Sequence, residues 1–155
     1  MPTYIDTIIC EDIRPEVGNK VTLAGVFGEE IVLPVIPSAL ASLAIMQRWR
    51  VAEDELNRGV GNFSFAIESP DGHIDRVPIP QIAAPVRGIY VTIMSFVFKF
   101  MNFPIRLRGE YKVRTYLNGP EVSCYRFFVM SAADMQAAQA AQAAQARAIG
   151  FNRPQ

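Results

Sequence analysis

The only histidine of the chain, His73, has an aspartate two residues away on either side. Side chains two residues apart on a strand point the same way, so Asp71, His73 and Asp75 would form one row. Carboxylate oxygens and an imidazole nitrogen can ligate a divalent cation, and a histidine can act as a general base. The row is therefore a candidate metal site and the centre of a remote hydrolase hypothesis. A solvated polar strand beside a Pro-Asp-Gly turn explains the same residues, and we predict no resident metal or cofactor.

The single tryptophan has an arginine on each side. Trp49 supplies a broad aromatic surface, and the guanidinium groups of Arg48 and Arg50 suit anionic or polar groups. These three residues form a candidate site for a small ligand or a carbohydrate. The alternative is that Trp49 belongs to the hydrophobic core.

Basic and aromatic side chains are interleaved late in the chain, as they are on platforms that bind single-stranded nucleic acid. The group consists of Arg106, Arg108, Tyr111, Lys112, Arg114 and Tyr116. It is one strand long, and the whole chain has a formal net charge of zero. We therefore expect a solvated outer face and no nucleic-acid partner.

Motifs for nucleophilic catalysis and for phosphate binding are absent from the sequence. It has no Gly-x-Ser-x-Gly elbow, no phosphate-cradling glycine loop, no Cys-x-x-Cys pair and no dinucleotide fingerprint. Cys10 and Cys124 lie in strand-like segments, where we expect free buried thiols; a bridge between two sheets is the alternative. The sequence predicts a protein that is not an enzyme.

Charge is distributed unevenly over the 155 residues, half of which are hydrophobic. Up to Arg76 the chain carries six basic and twelve acidic residues, and after it nine basic and three acidic. Acidic and basic strands that alternate around one fold would screen each other. The alternative is a head-to-tail contact between copies, acidic surface against basic surface.

Residues 89–101 form a long apolar segment, and the rest of the fold must bury it. It is rich in β-branched and aromatic residues, which predicts a strand. One side carries Ile89, Val91, Ile93, Val97 and Met101, and the other carries Tyr90, Met94, Phe96, Phe98 and Phe100. A strand in a two-layer sandwich needs only one apolar side, so we expect a covering layer over the outer side. We predict that the outer side is the aromatic one, covered either by a second molecule or by the chain's own tail or a loop.

The remaining segments predict an antiparallel β-sandwich of about eight strands over residues 1–130. Alternation in 41–51 favours a strand, with a helix as the alternative, and 52–58 reads as one helical turn before Gly59. Ser69-Pro-Asp-Gly72 is typical of a type I turn, and Asn118-Gly119 of a tight hairpin.

The last segment, residues 131–155, differs from the rest because it is rich in alanine and glutamine. Ser131 and Asp134 resemble a capping box, which predicts a helical or partly disordered extension. Its glutamines recur every third residue, so they drift around the helix and leave no apolar stripe. We read it as a frayed extension or, alternatively, as a docking helix. No signal peptide or membrane-spanning segment is evident, so we expect no membrane insertion and a cytoplasmic protein.

The segment Asn19-Lys-Val-Thr-Leu-Ala-Gly-Val-Phe27 resembles a strand found in a family of bacterial proteins known only as a domain of unknown function. The link with Pro34 and Pro37, the turn at 69–72 and the Gly-x-Tyr strand with its hairpin at 109–119 are similar to that family in the same order. The resemblance covers about residues 4–130 and implies a compact β-sandwich. It carries over no catalytic or binding residue.

Taken together, these patterns predict a non-enzymatic interaction or scaffold module that binds itself or another protein through an apolar sheet face. Its predicted anchors are the five residues of the aromatic side: Tyr90, Met94, Phe96, Phe98 and Phe100. A small-ligand or carbohydrate-binding sandwich is the alternative, and a hydrolase of unrecognised type is the remote one.

Overall fold

Ten strands form two five-stranded sheets in the computed structural model, which describes residues 1–18, 20–77, 81–87 and 91–151. The predicted β-sandwich is confirmed. The elements in chain order are β1 Thr3–Glu16, β2 Lys20–Val26, β3 Glu30–Leu33, β4 Ser38–Ala52, α1 Glu53–Arg58, β5 Phe63–Glu68, β6 Ile74–Arg76, β7 Gln81–Arg87, β8 Val91–Ile105, β9 Gly109–Leu117, β10 Glu121–Ser131 and α2 Ala132–Phe151.

The two sheets have different strand orders. Sheet A runs β2-β1-β4-β8-β7 with antiparallel neighbours throughout, and sheet B runs β3-β10-β9-β5-β6, with β3 parallel to β10. Strand β7, which contains Pro85, was not predicted from the sequence. The proline is tolerated here since β7 is the edge of sheet A, where a missing backbone donor costs little.

Strand β4 confirms that residues 41–51 are extended rather than helical. It pairs with β8 along its whole length, from Ser38 opposite Ile105 to Ala52 opposite Val91. Alanine, leucine and methionine favour a helix locally, but pairing and packing on both sides decide the conformation. The helical turn predicted next is also confirmed, as α1.

The main core lies between the sheets and is built around aromatic rings. The rings of Phe65 and Phe98 are 4.5 Å apart at their centroids, and those of Phe63 and Phe96 are 4.7 Å apart. Trp49 closes one end of this group, with its ring 5.2 Å from that of Phe63. One ring of each of these pairs belongs to sheet A and the other to sheet B, so the contacts join the two layers.

The aromatic side of β8 faces this core, so the expectation that it is the outer side is wrong. Met94, Phe96 and Phe98 are all no more than 5% exposed. Phe100 is half-buried against the core, with its ring 5.4 Å from that of Phe103. Tyr90 lies outside the described residues. These residues are covered by sheet B of the same chain, since the rings of Phe96 and Phe98 pack against those of Phe63 and Phe65 on β5.

That other side of β8 is covered as well, over part of its length. Val97 is 7% exposed and belongs to a second apolar cluster on the outer side of sheet A. The cluster also contains Cys10, Ile13, Ala44 and Met46, with Ile8 and Leu23 packed against it. Towards the end of the strand Met101 is bare, at 75% exposed.

The cover is the hairpin of β1 and β2. Strand β1 pairs with β4 only as far as Cys10, and from Cys10 to Glu16 it pairs with β2. Its distal half reaches over β4 to β8, since Lys99 Nζ donates to Asp12 Oδ1 at 3.0 Å. The chain therefore covers the aromatic side of β8 and part of its other side by itself, which a count of apolar residues could not show.

Asp12 links this hairpin to β8 through its ion pair with Lys99, so we expect the stability of the protein to depend on pH. Hydrogen bonds from Arg14 and then Lys99 lower the pKa of Asp12 to about 2. The pKa of an aspartate in the unfolded chain is about 3.9, so the unfolded protein binds this proton more readily than the folded protein does. The ionised Asp12 carboxylate therefore stabilises the fold fully above about pH 4. The effect is lost as the pH falls towards 2. We expect Asp12→Asn to flatten the acid limb of a plot of Tm against pH, and Lys99→Met to do so in part. An unchanged acid limb would contradict this role.

Turns and caps form where the local sequence predicts them. Gly72 N–H donates to Ser69 O at 2.9 Å in the first turn, and Asn118 and Gly119 both have positive φ angles in the β9–β10 hairpin. At the start of α2, Asp134 N–H donates to Ser131 Oγ at 3.1 Å and Ser131 N–H to Asp134 Oδ2 at 3.2 Å. The predicted capping box is confirmed.

Helix α2 projects from the end of β10, and its side chains from Gln136 to Ala146 are exposed. In the described part of the chain, its main contacts with other elements are to β10 and β3. Arg108 holds the start of α2 in place, since its Nη1 donates to Asp134 Oδ1 at 2.7 Å. Among the described residues, no helix combines the length and the apolar character that crossing a membrane requires.

Candidate functional site

Asp71, His73 and Asp75 run from the turn after β5 into β6. Asp71 Oδ1 accepts from Ser69 Oγ at 2.8 Å and from His73 N–H at 3.2 Å. The hydroxyl of Ser69, followed by the backbone of His73, lowers the pKa of Asp71. His73 Nε2 lies 3.2 Å from Asp75 Oδ1 at the surface. Within the described ranges no three histidine, cysteine or acidic side chains are arranged to hold a metal ion, so the structure does not bring these three together as ligands.

Trp49 and its two arginines do not form a common site. Trp49 is 1% exposed and its ring lies between those of Tyr4 and Phe63, so it is a core residue. Arg48 turns to the other side of the sheet, where its Nε donates to Asp6 Oδ1 at 2.8 Å. Arg50 lines a cavity of about 250 Å³ beside α1, which Trp49 does not reach. A ligand at that cavity would lack the aromatic surface that the hypothesis needs.

The basic and aromatic group on β9 is divided between the two faces of sheet B. Tyr111 points inward and is 2% exposed, with its hydroxyl donating to Leu107 O at 2.9 Å. Lys112 and Arg114 point outward, and both donate to Glu68 on β5, at 3.1 and 2.5 Å. Arg114, then Lys112, lowers the pKa of Glu68. Lys112 and Arg114 are thus neutralised across strands, and Tyr111 does not share their face.

The uneven distribution of charge along the chain is largely balanced within the fold. Glu68 comes from the acidic half and Arg114 from the basic half, and Asp12 and Lys99 are a second such pair. The two halves meet because neighbouring strands of each sheet come from distant parts of the chain. This agrees with alternating charge around one fold.

The two cysteines are free thiols. Cys10 is fully buried on the outer side of sheet A, and burial raises the pKa of its thiol. Cys124 is half-buried on β10 of the other sheet. A thiol with a raised pKa is a poor nucleophile, so Cys10 is a packing residue.

The outer face of sheet B holds an exposed apolar area that the sequence analysis did not single out. Phe128 is 45% exposed and Val32 is 39% exposed, and the half-buried Met130 pairs in register with Val32. We call Val32, Phe128 and Met130 the Phe128 patch. Phe128 is the one aromatic ring exposed by more than a third among the described side chains. The signal was the pair Phe127-Phe128 on an alternating strand, because only one of two consecutive rings can face the core.

Charged side chains lie on both sides of the Phe128 patch. Glu30 on β3 and Glu110 on β9 are both in register with Phe128, and Arg126 precedes it by two residues on the same strand. The guanidinium of Arg126 is 63% exposed, and its Nη1 is 3.7 Å from Glu110 Oε2. The patch therefore has a carboxylate on either side across the strands, Glu30 and Glu110, and one basic side chain along the strand, Arg126. Glu110 of the same chain is only loosely paired with Arg126.

Comparison with known proteins places the whole sandwich in one family. Residues 6–130 match the model of a family of unknown function, DUF6941. The chain belongs to this family. The match covers both sheets of the DUF6941 fold almost completely and ends just before α2, so the helix lies outside the matched region.

No curated protein matches the chain, and no solved structure does. The resemblance predicted from the strand at 19–27 and from the turns is thus confirmed at the level of the family. The family description names no substrate, ligand or reaction. Function must therefore be argued from the surface of this DUF6941 member.

Proposed function

We propose that this protein is a non-enzymatic interaction module that self-associates through the Phe128 patch. The exposed ring of Phe128 is the observation that carries the proposal. Aromatic side chains at the centre of an interface supply much of its binding free energy. Burying the exposed part of this ring is worth about 1 kcal/mol for each copy, before any contribution from its neighbours.

The surroundings of Phe128 support a protein partner rather than a small ligand. The patch lies on the open face of a sheet, whereas two cavities among the described residues, of about 390 and 250 Å³, are lined by α1 and the N-terminal residues at the other end of the sandwich. The ion pairs of Lys112 and Arg114 with Glu68 neutralise charges further along β9, whereas Glu30 and Arg126 beside the patch remain exposed. A second protein surface that carries complementary charges can therefore approach the patch without a large electrostatic penalty.

Replacing Phe128 with aspartate tests this function. We expect the wild-type protein to show a mass that rises with concentration in size-exclusion chromatography with light scattering, and Phe128→Asp to remain a monomer. The Tm of the variant should stay close to that of the wild type, because the ring is already half outside the core.

Val26→Asp is the matched control, since Val26 is an apolar residue of sheet A that is 58% exposed. This variant should associate like the wild type. A wild-type protein that stays monomeric at every concentration would refute the proposal. So would a Val26→Asp variant that dissociates as completely as Phe128→Asp.

A further inference from the structure

We infer that the partner on the Phe128 patch is a second copy of this chain, related by a two-fold axis, with Glu30 of each copy paired to Arg126 of the other. The inference rests on the proposed function and specifies the geometry of its contact. It follows from the position of one acidic and one basic side chain relative to Phe128.

Both charges point out of sheet B close to the ring. Glu30 and Val32 alternate with Ile31 and Leu33, which are 1% and 8% exposed, so Glu30 faces outward. Arg126 faces outward for the same reason, because the next residue, Phe127, is fully buried. Glu30 is therefore about 5 Å from Phe128 across the strands, and Arg126 about 7 Å from it along the strand.

A contact between identical faces must be complementary to itself under the two-fold operation. One such two-fold axis lies in the plane between the copies, passes through Phe128 and runs at about 45° to the strands. The strands of the two copies then cross at about 90°, so a position beside Phe128 across the strands in one copy faces a position along the strand in the other. This diagonal axis brings Glu30 of each copy over Arg126 of the other, twice, with the two Phe128 rings at the centre.

Another axis through Phe128, parallel to the strands, gives the opposite result. Glu30 and Glu110 are both in register with Phe128, on its two sides. That axis would place Glu30 of one copy over Glu110 of the other, which sets like charges against each other. Of these two axes, electrostatic complementarity favours the diagonal one.

The area available indicates a reversible dimer. The outward residues of β3, β10 and the near edge of β9 span about 15 by 20 Å, taking the usual strand and residue spacings. Such a footprint buries about 300 Å² on each copy, less than the roughly 1,000 Å² in total that stable specific contacts bury. We therefore expect a weak, transient dimer that forms only at high protein concentration.

Charge reversal tests the pairing directly. Glu30→Arg alone and Arg126→Glu alone should each raise the dimer Kd at least about tenfold, because each sets like charges together twice. The double variant Glu30→Arg/Arg126→Glu should return the Kd to within about threefold of the wild type. Analytical ultracentrifugation measures all four proteins, and thermal unfolding shows that each one is folded.

The possible outcomes separate this inference from the proposed function. If Phe128→Asp abolishes association but the double charge reversal restores nothing, the two-fold pairing is refuted and docking through the patch stands. If the wild type does not associate at all, both are refuted. Restoration in the double variant supports the pairing, since a nonspecific apolar contact has no reason to respond to it.

Discussion

Replacing Phe98 with aspartate is expected to unfold the protein rather than to dissociate an assembly. Phe98 is 2% exposed, and its ring is 4.5 Å from that of Phe65 on the opposite sheet. Removing a buried phenylalanine ring alone costs about 3–5 kcal/mol. Burying a carboxylate without a partner adds several kcal/mol more, and the total approaches the whole stability of a typical domain, about 5–15 kcal/mol.

The measurement is thermal or denaturant unfolding followed by circular dichroism, together with the soluble yield. Met101→Asp is the matched control, because Met101 lies on the same strand and is 75% exposed. It should melt cooperatively with a Tm close to that of the wild type. A soluble, cooperatively folded Phe98→Asp monomer would contradict the core assignment and restore the aromatic side of β8 as an interface.

A second large effect is expected at the one hydrogen bond that joins the sheets through buried side chains among the described residues. Thr115 Oγ donates to Gln47 Oε1 at 2.7 Å, and both residues are fully buried. Gln47 Nε2 has no hydrogen-bond partner in the structure, so this one bond is all that satisfies the amide. We expect Thr115→Val to destabilise the protein by about 1–3 kcal/mol, since it leaves the carbonyl oxygen buried without a donor.

The double variant distinguishes the lost hydrogen bond from lost packing. Gln47→Leu/Thr115→Val replaces both polar groups with apolar ones of similar size, so it should recover most of the loss or exceed the wild type. A double-mutant cycle of urea unfolding measures the coupling between the two positions. Simple additivity of the two single changes would show that the bond contributes nothing beyond packing.

Trp49 contributes a second buried polar atom without a hydrogen-bond partner to this part of the core. The atom is Nε1 of its ring, which is buried between those of Tyr4 and Phe63. The flanking arginines suggested a ligand site, but neighbouring residues on a strand point to opposite sides. Arg48 and Arg50 therefore face away from the core that contains Trp49.

The sequence predicted those features whose causes lie within a few residues. The turn at Ser69–Gly72, the hairpin at Asn118-Gly119 and the capping box of Ser131 and Asp134 each depend on side chains that act on their own backbone. Alternation also identified most strands, including residues 41–51. These local signals were enough to give a β-sandwich and its family.

What the sequence alone determined about this protein is therefore the identity of its strands and turns, and the fact that β8 has two apolar sides. Only the tertiary structure decided which side meets sheet B. It showed the aromatic side of β8 in the core, the β1–β2 hairpin over Val97 and the ring of Phe128 outside. The physical reason is that burial depends on which distant strands pack together. A period of two separates the faces of a strand but does not say what covers either of them.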